Sequence, residues 1–317
     1  MSMEEKQNSQ TFQDFNQNIF KPNSREEITQ IVKNCYKKNI PLEINGLKSK
    51  HKIGRNFQSE KTLNLSNYSG IIEYKPEELY IKAKAGTPLK TIINELDKNN
   101  QQLAFEPIDF GFLFKGESNL GTIGGVISCN FAGPRRIKVG SVRDHILGFK
   151  GINGKGEIIK SGGTVVKNVT GYDLSKLICG SYGTLVALTE ITFKVLPLAL
   201  ESKTLIIHKL SIEAAPYLLS NAISSSNDVS GATYLPTEPK VEGCVMNIEE
   251  TFKLNDLKHG GSLTAIRIEG SKKSVEERIK NLMNELKIAN LDISILDTFQ
   301  SEIFWNKVKN LEFFSSS

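Results

Sequence analysis

Behind Pro22-Asn23-Ser24-Arg25-Glu26-Glu27 the apolar positions Ile28, Ile31, Val32 and Cys35 recur on one helical face. Ser24 can cap that helix, with Glu27 three residues on as in a capping box. A strand over Pro41–Ile44 runs into the loop Asn45-Gly46-Leu47-Lys48-Ser49-Lys50-His51. Leu63–Leu65, Ile71–Tyr74 and Tyr80–Ala85 alternate or cluster as strands, and a turn at Ala85-Gly86-Thr87-Pro88 leads to a helix over Leu89–Lys98. Further strands are predicted over Ile146–Asn153, Glu157–Ser161 and Thr184–Val195, closed by Pro197. This rhythm of strands and occasional helices is not a repeating βαβ unit.

From about Glu201 the pattern changes. Strand Thr204–Leu210, helix Ile212–Ile223, strands Gly231–Leu235 and Ser262–Glu269, helix Ser274–Leu286 and strand Asp292–Leu296 follow in turn. That β-α-β-β-α-β order is the ferredoxin-like arrangement, so a smaller second domain is expected. A length of 317 residues is natural for two domains. The expected division is a polar segment 1–20, a first domain 21–199 and a second 200–317.

Composition narrows the function classes. Forty Lys and Arg against 35 Asp and Glu leave a net charge of +5 with no block of like charge, which argues against nucleic acid. The apolar runs carry polar residues and fall short of a membrane span, and the amino terminus lacks a signal-peptide core, so a cytoplasmic location is expected. Cys35, Cys129, Cys179 and Cys244 stand far apart, and His51, His145, His208 and His259 form no H-x-H or H-x-x-x-H pair. No metal or iron–sulfur site is expected within this chain.

Glycine carries the strongest signal, since sixteen of the 25 lie between Gly111 and Gly183. Glycine suits a backbone that must come close to a ligand, and successive N–H groups in such loops form anion sites. The loop around Gly46 and the run Gly121-Thr122-Ile123-Gly124-Gly125, at the start of a predicted helix, could enclose a pyrophosphate. Tight turns and close helix packing are the alternative, and the pattern is not G-x-G-x-x-G.

The blocks Gly121-Thr122-Ile123-Gly124-Gly125-Val126, Ala132-Gly133-Pro134-Arg135-Arg136, Gly140-Ser141-Val142-Arg143-Asp144, Lys167-Asn168-Val169-Thr170-Gly171-Tyr172-Asp173 and Gly180-Ser181-Tyr182-Gly183-Thr184-Leu185 resemble the FAD-binding E subunit of bacterial glycolate oxidase. That subunit is of the flavoenzyme superfamily typified by vanillyl-alcohol oxidase. The similarity runs from about Lys21 to Pro197 and is fainter beyond, resting there on Phe304-Trp305 and Phe313-Phe314. The resemblance implies an α+β fold: a two-subdomain FAD-binding domain of the PCMH type, followed by the ferredoxin-like cap. It implies FAD held by Asn45, Gly46, Leu47, Lys48, Ser49 and Lys50 at the pyrophosphate. Gly121, Thr122, Ile123, Gly124 and Gly125 would line the flavin and pyrophosphate, with Arg143 and Asp144 nearby. Gly183, Thr184, Leu185 and Glu190 would lie towards the adenosine.

It further implies oxidation of a small 2-hydroxy acid, glycolate, beside a second FAD-containing subunit and an iron–sulfur subunit, with membrane association only through those partners. A stand-alone FAD oxidoreductase and a scaffold that has lost FAD are the alternatives. Two departures matter. The family reads G-G-G-S-K where this chain has Gly46-Leu47-Lys48-Ser49-Lys50, so Lys48 or Lys50 could supply charge to a phosphate directly. The covalent attachment positions of the superfamily, a His in the first loop or a Cys in the second, are not met by Lys48 or by Cys129 inside a helix, so non-covalent FAD is expected. No catalytic base is evident. Arg135, Arg136, Arg143 and Lys167 are candidates to grip flavin, substrate or a partner, or else to pair structurally; Tyr172 and Asp173 could form a buried corner. Related chains continue past Phe313-Phe314-Ser315-Ser316-Ser317, and truncation of this one is left open.

Overall fold

The computed structural model describes residues 15–54, 58–114, 118, 120–163, 171–236, 244–246, 251–252 and 261–316. Lys167 and its neighbours Thr164–Thr170 lie outside the described residues. The chain forms two compact units. The first takes the described residues of Met1–Glu95, Gly121–Asn130 and Ile146–Lys194, the second those of Leu96–Leu120, Phe131–His145 and Val195–Ser317. Two short segments that precede residue 199 thus fold with the second unit.

In the first unit β1 (Ile19–Phe20), β2 (Leu42–Asn45) and β3 (Lys61–Asn64) form a parallel sheet in the order β1-β3-β2. Between β1 and β2 runs helix α1 (Arg25–Lys37), burying Ile28, Ile31, Val32 and Cys35. Ser24 Oγ accepts from the Glu27 N–H at 3.1 Å, while the Glu27 carboxylate reaches one residue further back, to the Asn23 N–H at 3.1 Å. β4 (Ile71–Lys75) and β5 (Tyr80–Lys84) lead into helix α2 (Leu89–Asp97). Helix α3 (Ile123–Cys129), β6 (Ile146–Asn153), β7 (Ile158–Gly162), helix α4 (Leu174–Ile178) and β8 (Val186–Lys194) follow. The antiparallel five-stranded sheet has the order β4-β5-β8-β6-β7. Strand β8 is central, so its residues are buried on both faces rather than alternately.

The second unit contains β9 (Glu201–His208), helix α5 (Ala214–Ser224), β10 (Val229–Leu235), β11 (Leu263–Gly270), helix α6 (Lys272–Glu285), β12 (Ile293–Leu296) and helix α7 (Thr298–Lys309). Its antiparallel sheet runs β10-β11-β9-β12. The period of two along β9 decides the packing. Leu205 and Ile207 join Ile266, Ile268, Val275, Ile279 and Leu282 in one core, whereas Ile206 joins Ala265, Phe304 and Trp305 in another. Helices therefore cover both faces.

Helix α7 was not among the elements read from the pattern. Its signal lay in Asp297-Thr298-Phe299-Gln300, where Gln300 N–H donates to Asp297 Oδ1 at 2.9 Å and Asp297 N–H to Gln300 Oε1 at 3.0 Å. Phe304 and Trp305 are its buried anchors.

Candidate functional site

A cleft of about 630 Å³ opens in the first unit, within the range of small-molecule sites. Its apolar lining comes from two sheets: Leu42 and Ile44 from β2, Val186 and Leu188 from β8. Each pair is spaced by two, so both members share a strand face. The loop Asn45–His51 closes one side, and Thr122, Gly124, Gly125, Ser128 and Cys129 of the α3 region another. Tyr182, Gly183 and Thr184 complete the rim. A second cavity of about 440 Å³ shares Leu42, Ile44, Gly183, Thr184 and Val186 with the first and is also lined by Leu185 and α1 residues.

The loop is anchored by a residue that the sequence did not single out. Asn64, at the end of β3, donates from Nδ2 to Asn45 Oδ1 at 2.9 Å and to the Gly46 carbonyl at 3.1 Å. Its Oδ1 accepts from the Ser66 N–H at 3.0 Å. Asn45 in turn donates to Glu43 Oε1 at 3.0 Å, and Thr62 Oγ1 to Glu43 Oε2 at 3.3 Å. His51 Nδ1 lies 3.7 Å from the same carboxylate. Such a chain fixes where the loop leaves the sheet.

Two glycines are demanded by space. A Cβ on Gly46 would lie 2.5 Å from Thr122 Oγ1 and 2.7 Å from its Cγ2, so the loop and the α3 start close on each other only without a side chain there. At Gly125 a Cβ would meet only Thr122 Oγ1, at 3.5 Å, and would otherwise stand in the cleft.

The start of α3 offers less to an anion than its glycines suggest. Ile123 N–H donates to the Thr87 carbonyl at 3.0 Å, Gly124 N–H to the Ala85 carbonyl at 2.9 Å and Gly125 N–H to Thr122 Oγ1 at 3.3 Å. The first-turn donors are thus bonded inside the protein. On the opposite side, Lys48 sits in the left-handed region at φ +55°, and Lys50 Nζ donates to Ser49 Oγ at 3.0 Å. Burial pushes the Cys129 thiol up, opposed by Lys50, and burial raises the Tyr182 phenol as well.

The other expected residues lie elsewhere. Gly121 does not line the cleft, a Cβ there would run into the Ser49 hydroxyl, and Ile123 is wholly buried. Leu185 lines the second cavity only. Glu190 lines neither cavity and receives Lys150 Nζ at 3.0 Å and Lys82 Nζ at 3.1 Å, with Arg25 4.0 Å away. Burial alone would raise its carboxyl, but the Lys150 and Lys82 hydrogen bonds outweigh it and hold it below the usual range. Lys150 lies directly across from Glu190 in the sheet and Lys82 diagonally, opposite Thr192, which puts both cations in reach. Arg143 and Asp144 belong to a one-turn helix, Val142–Asp144, of the second unit. There Asp144 accepts from the Ser141 N–H at 2.8 Å and Ser141 Oγ at 3.1 Å. Tyr172 is 93% exposed, which rules out a buried corner, and Asp173 caps α4 through the Lys176 N–H at 3.1 Å.

Arg135 is engaged within the second unit. Its guanidinium donates to Glu269 at 2.8 and 3.0 Å. Arg267 donates to Glu106 at 2.8 and 3.2 Å, and its guanidinium lies 4.8 Å from the Trp305 ring. Burial opposes ionisation of Glu269, but Arg135 and Arg267 hold its carboxyl down at about 2; Glu106 is lowered for the same reasons. Among the described residues no group of three or more His, Cys, Asp or Glu is placed to hold a metal, and no helix is long and apolar enough to cross a membrane.

Residues 17–162 match the family model described as FAD binding domain. The chain is 44% identical over 172 residues to glycolate oxidase subunit GlcE of Escherichia coli, covering 54% of this chain and 46% of that protein. It is 33% identical to D-lactate dehydrogenase of Anaerostipes hadrus, covering 55% of this chain and 35% of that protein. Against glycolate oxidase subunit GlcD of Bacillus subtilis it is 30% identical, covering 65% and 43%. The chain thus covers less than half of each of these relatives. Alkyldihydroxyacetonephosphate synthase shares its fold, with a TM-score of 0.69 at 18% identity over 93% of this chain and 54% of that one. So does the glucose dehydrogenase Phl p 4.0202, with a TM-score of 0.62 at 12% identity over 93% and 55%.

Proposed function

We propose, from the premise that residues 17–162 are an FAD-binding domain, that this chain is the FAD-binding subunit of a glycolate-oxidizing complex. The observation that carries the reading is the cleft itself. It lies in the unit that holds most of the family match, has apolar sheet faces for flat rings, and carries two lysines in its loop. Eleven of the expected residues line it: Asn45, Gly46, Leu47, Lys48, Ser49, Lys50, Thr122, Gly124, Gly125, Gly183 and Thr184. The bound flavin would supply hydride and single-electron chemistry, while the protein supplies binding and electrostatic tuning.

The same reading gives non-covalent FAD, because burial keeps the Cys129 thiol protonated and a thiol is a poor nucleophile. It divides the chain into an FAD-binding domain over 21–199 and a ferredoxin-like cap over 200–317, for which the β10-β11-β9-β12 sheet is the support. It also gives a small 2-hydroxy acid as substrate, a second FAD-containing subunit and an iron–sulfur subunit as partners, and a cytoplasmic location with membrane association only through them. The sole histidine of the cleft faces Glu43, and Arg135 is paired with two carboxylates, so a complete base and carboxylate clamp require more than this cleft.

Two measurements test this. Acid precipitation of the purified yellow protein should release the flavin into the supernatant; colour retained in the pellet overturns non-covalent binding. In stopped flow, glycolate should reduce the flavin of the lone chain at least about a hundredfold more slowly than that of the assembled complex, as expected for loss of a general base. Equal rates overturn dependence on partners.

A further inference from the structure

We infer that the lysine-bearing face of the five-stranded sheet in the first unit is a docking surface for an acidic protein surface, carried by a partner subunit of the complex. The inference rests on the proposed function for its partner subunits and makes no use of the cleft. Residues directly opposite each other in an antiparallel sheet share a face, so the register assembles the surface. Lys84 of β5 stands opposite Glu190 of β8, Glu190 opposite Lys150 of β6, and Lys150 opposite Lys160 of β7. One row thus crosses four strands with three lysines to one carboxylate. Lys82, opposite Thr192, adds another lysine to the same face, and Arg25 at the start of α1 lies 4.0 Å from Glu190. Lys160 is exposed, and Lys82, Lys84 and Lys150 are half-buried.

This excess of one sign works against the fold. Like charges directly opposite in a sheet repel, and Lys150 and Lys160 are such a pair. A lysine on an edge strand guards against unwanted pairing, which would account for Lys160 on β7. It does not account for Lys82, Lys84 and Lys150, which stand on the inner strands β5 and β6. Glu190 holds Lys82 at 3.1 Å and Lys150 at 3.0 Å, so these charges are presented in set places and have less freedom to lose on docking. The surroundings decide the class of partner. Tyr68, under Lys84 Nζ at 4.9 Å, and Tyr80, opposite Lys194, are buried, so neither ring is open for a nucleic-acid base to stack on. Glu73 stands opposite Lys82, and Glu77 and Glu78 occupy the turn between β4 and β5. A uniformly anionic bilayer would meet those carboxylates together with the lysines, whereas a protein surface can set its acidic groups against the lysines alone.

The test is the association rate of the full, FAD-loaded chain with the second flavoprotein subunit and the iron–sulfur subunit of the glycolate-oxidizing complex, followed by surface plasmon resonance. Lys160→Glu should slow association by about fivefold at roughly 0.05 M salt, with most of the difference gone at roughly 0.5 M. The same substitution sets a carboxylate opposite Lys150, so the melting temperature should rise by about 1 °C. Slower association in a more stable chain separates docking from folding. Lys160→Arg should associate as the wild type does, and Lys273→Glu, an equal change of net charge on α6, should leave the rate within about twofold. Equal rates for the wild type and Lys160→Glu, or an equal slowing by Lys273→Glu, overturn the docking face alone. Lysine-dependent binding to vesicles containing phosphatidylserine, with no effect of Lys160→Glu on the subunits, gives the face to a membrane and also overturns it. A wild-type chain that associates with neither subunit overturns the complex reading, and the face with it.

Discussion

The loop cleft of the first unit and the buried charge cluster of the second are built from the same residue types and treat them in opposite ways. Arg135 and Arg267 are matched by Glu106 and Glu269 through charge-assisted hydrogen bonds, with Ser230 taking another Arg267 donor at 3.2 Å. Lys48 and Lys50 line the cleft together with one carboxylate, Glu43, which already accepts from Asn45 and Thr62. A buried cation costs several kcal/mol unless paired, so pairing identifies a structural charge. Lys48 on the cleft rim is exposed, and an exposed cation needs no such partner. Sequence alone offered Lys48 or Lys50 as charge for a phosphate, and left Arg135 open between gripping flavin, substrate or a partner and pairing structurally.

The sharpest way to break the contrast is Gly125→Val. The added side chain enters the cleft and meets only Thr122, so FAD affinity should fall at least about a hundredfold, roughly 2.7 kcal/mol, with the melting temperature little changed. Flavin content after reconstitution measures this, and full occupancy would remove the cleft from consideration.

In the charge cluster the expected effects are reversed. Arg135→Ala leaves Glu269 and Glu106 buried without one partner and should destabilise the chain by about 3 kcal/mol in urea unfolding. FAD affinity should change less than twofold.

The same cluster sets an acid limit. Glu269 has its carboxyl depressed from 4.5 to about 2, so its stabilisation is present in full above about pH 4.5 and is lost as pH falls through about 2. The difference corresponds to an upper bound of ~3 kcal/mol. Stability followed by circular dichroism between pH 6 and pH 2 should therefore decline most in that window, and Glu269→Gln should flatten the decline. The smallest expected effect is Asp297→Ala, which removes the cap of α7 and should cost about 1 kcal/mol without touching flavin binding.

The sequence by itself determined the elements whose cause is local. Ser24 capped α1 and its apolar face lay where the spacing placed it; the β-α-β-β-α-β order after Glu201 was legible because each strand and helix carries its own period. The loop Asn45–Lys50 and the Gly124–Gly125 pair, singled out by their glycines, lie together on the wall of one cleft. Asn64 was not singled out, since its role depends on β3 lying parallel beside β2, a pairing between residues 19 positions apart. Nor could spacing separate Glu190, whose three cations arrive from α1, β5 and β6, from a residue of the cleft only a few positions before it. Hydrogen bonds decided the last distinction: the α3 donors read as an anion site until the fold showed them bonded to Thr87, Ala85 and Thr122. A donor's type is written in the sequence, but whether it is still free for a ligand depends on what the chain folds against it, which only the tertiary structure decides.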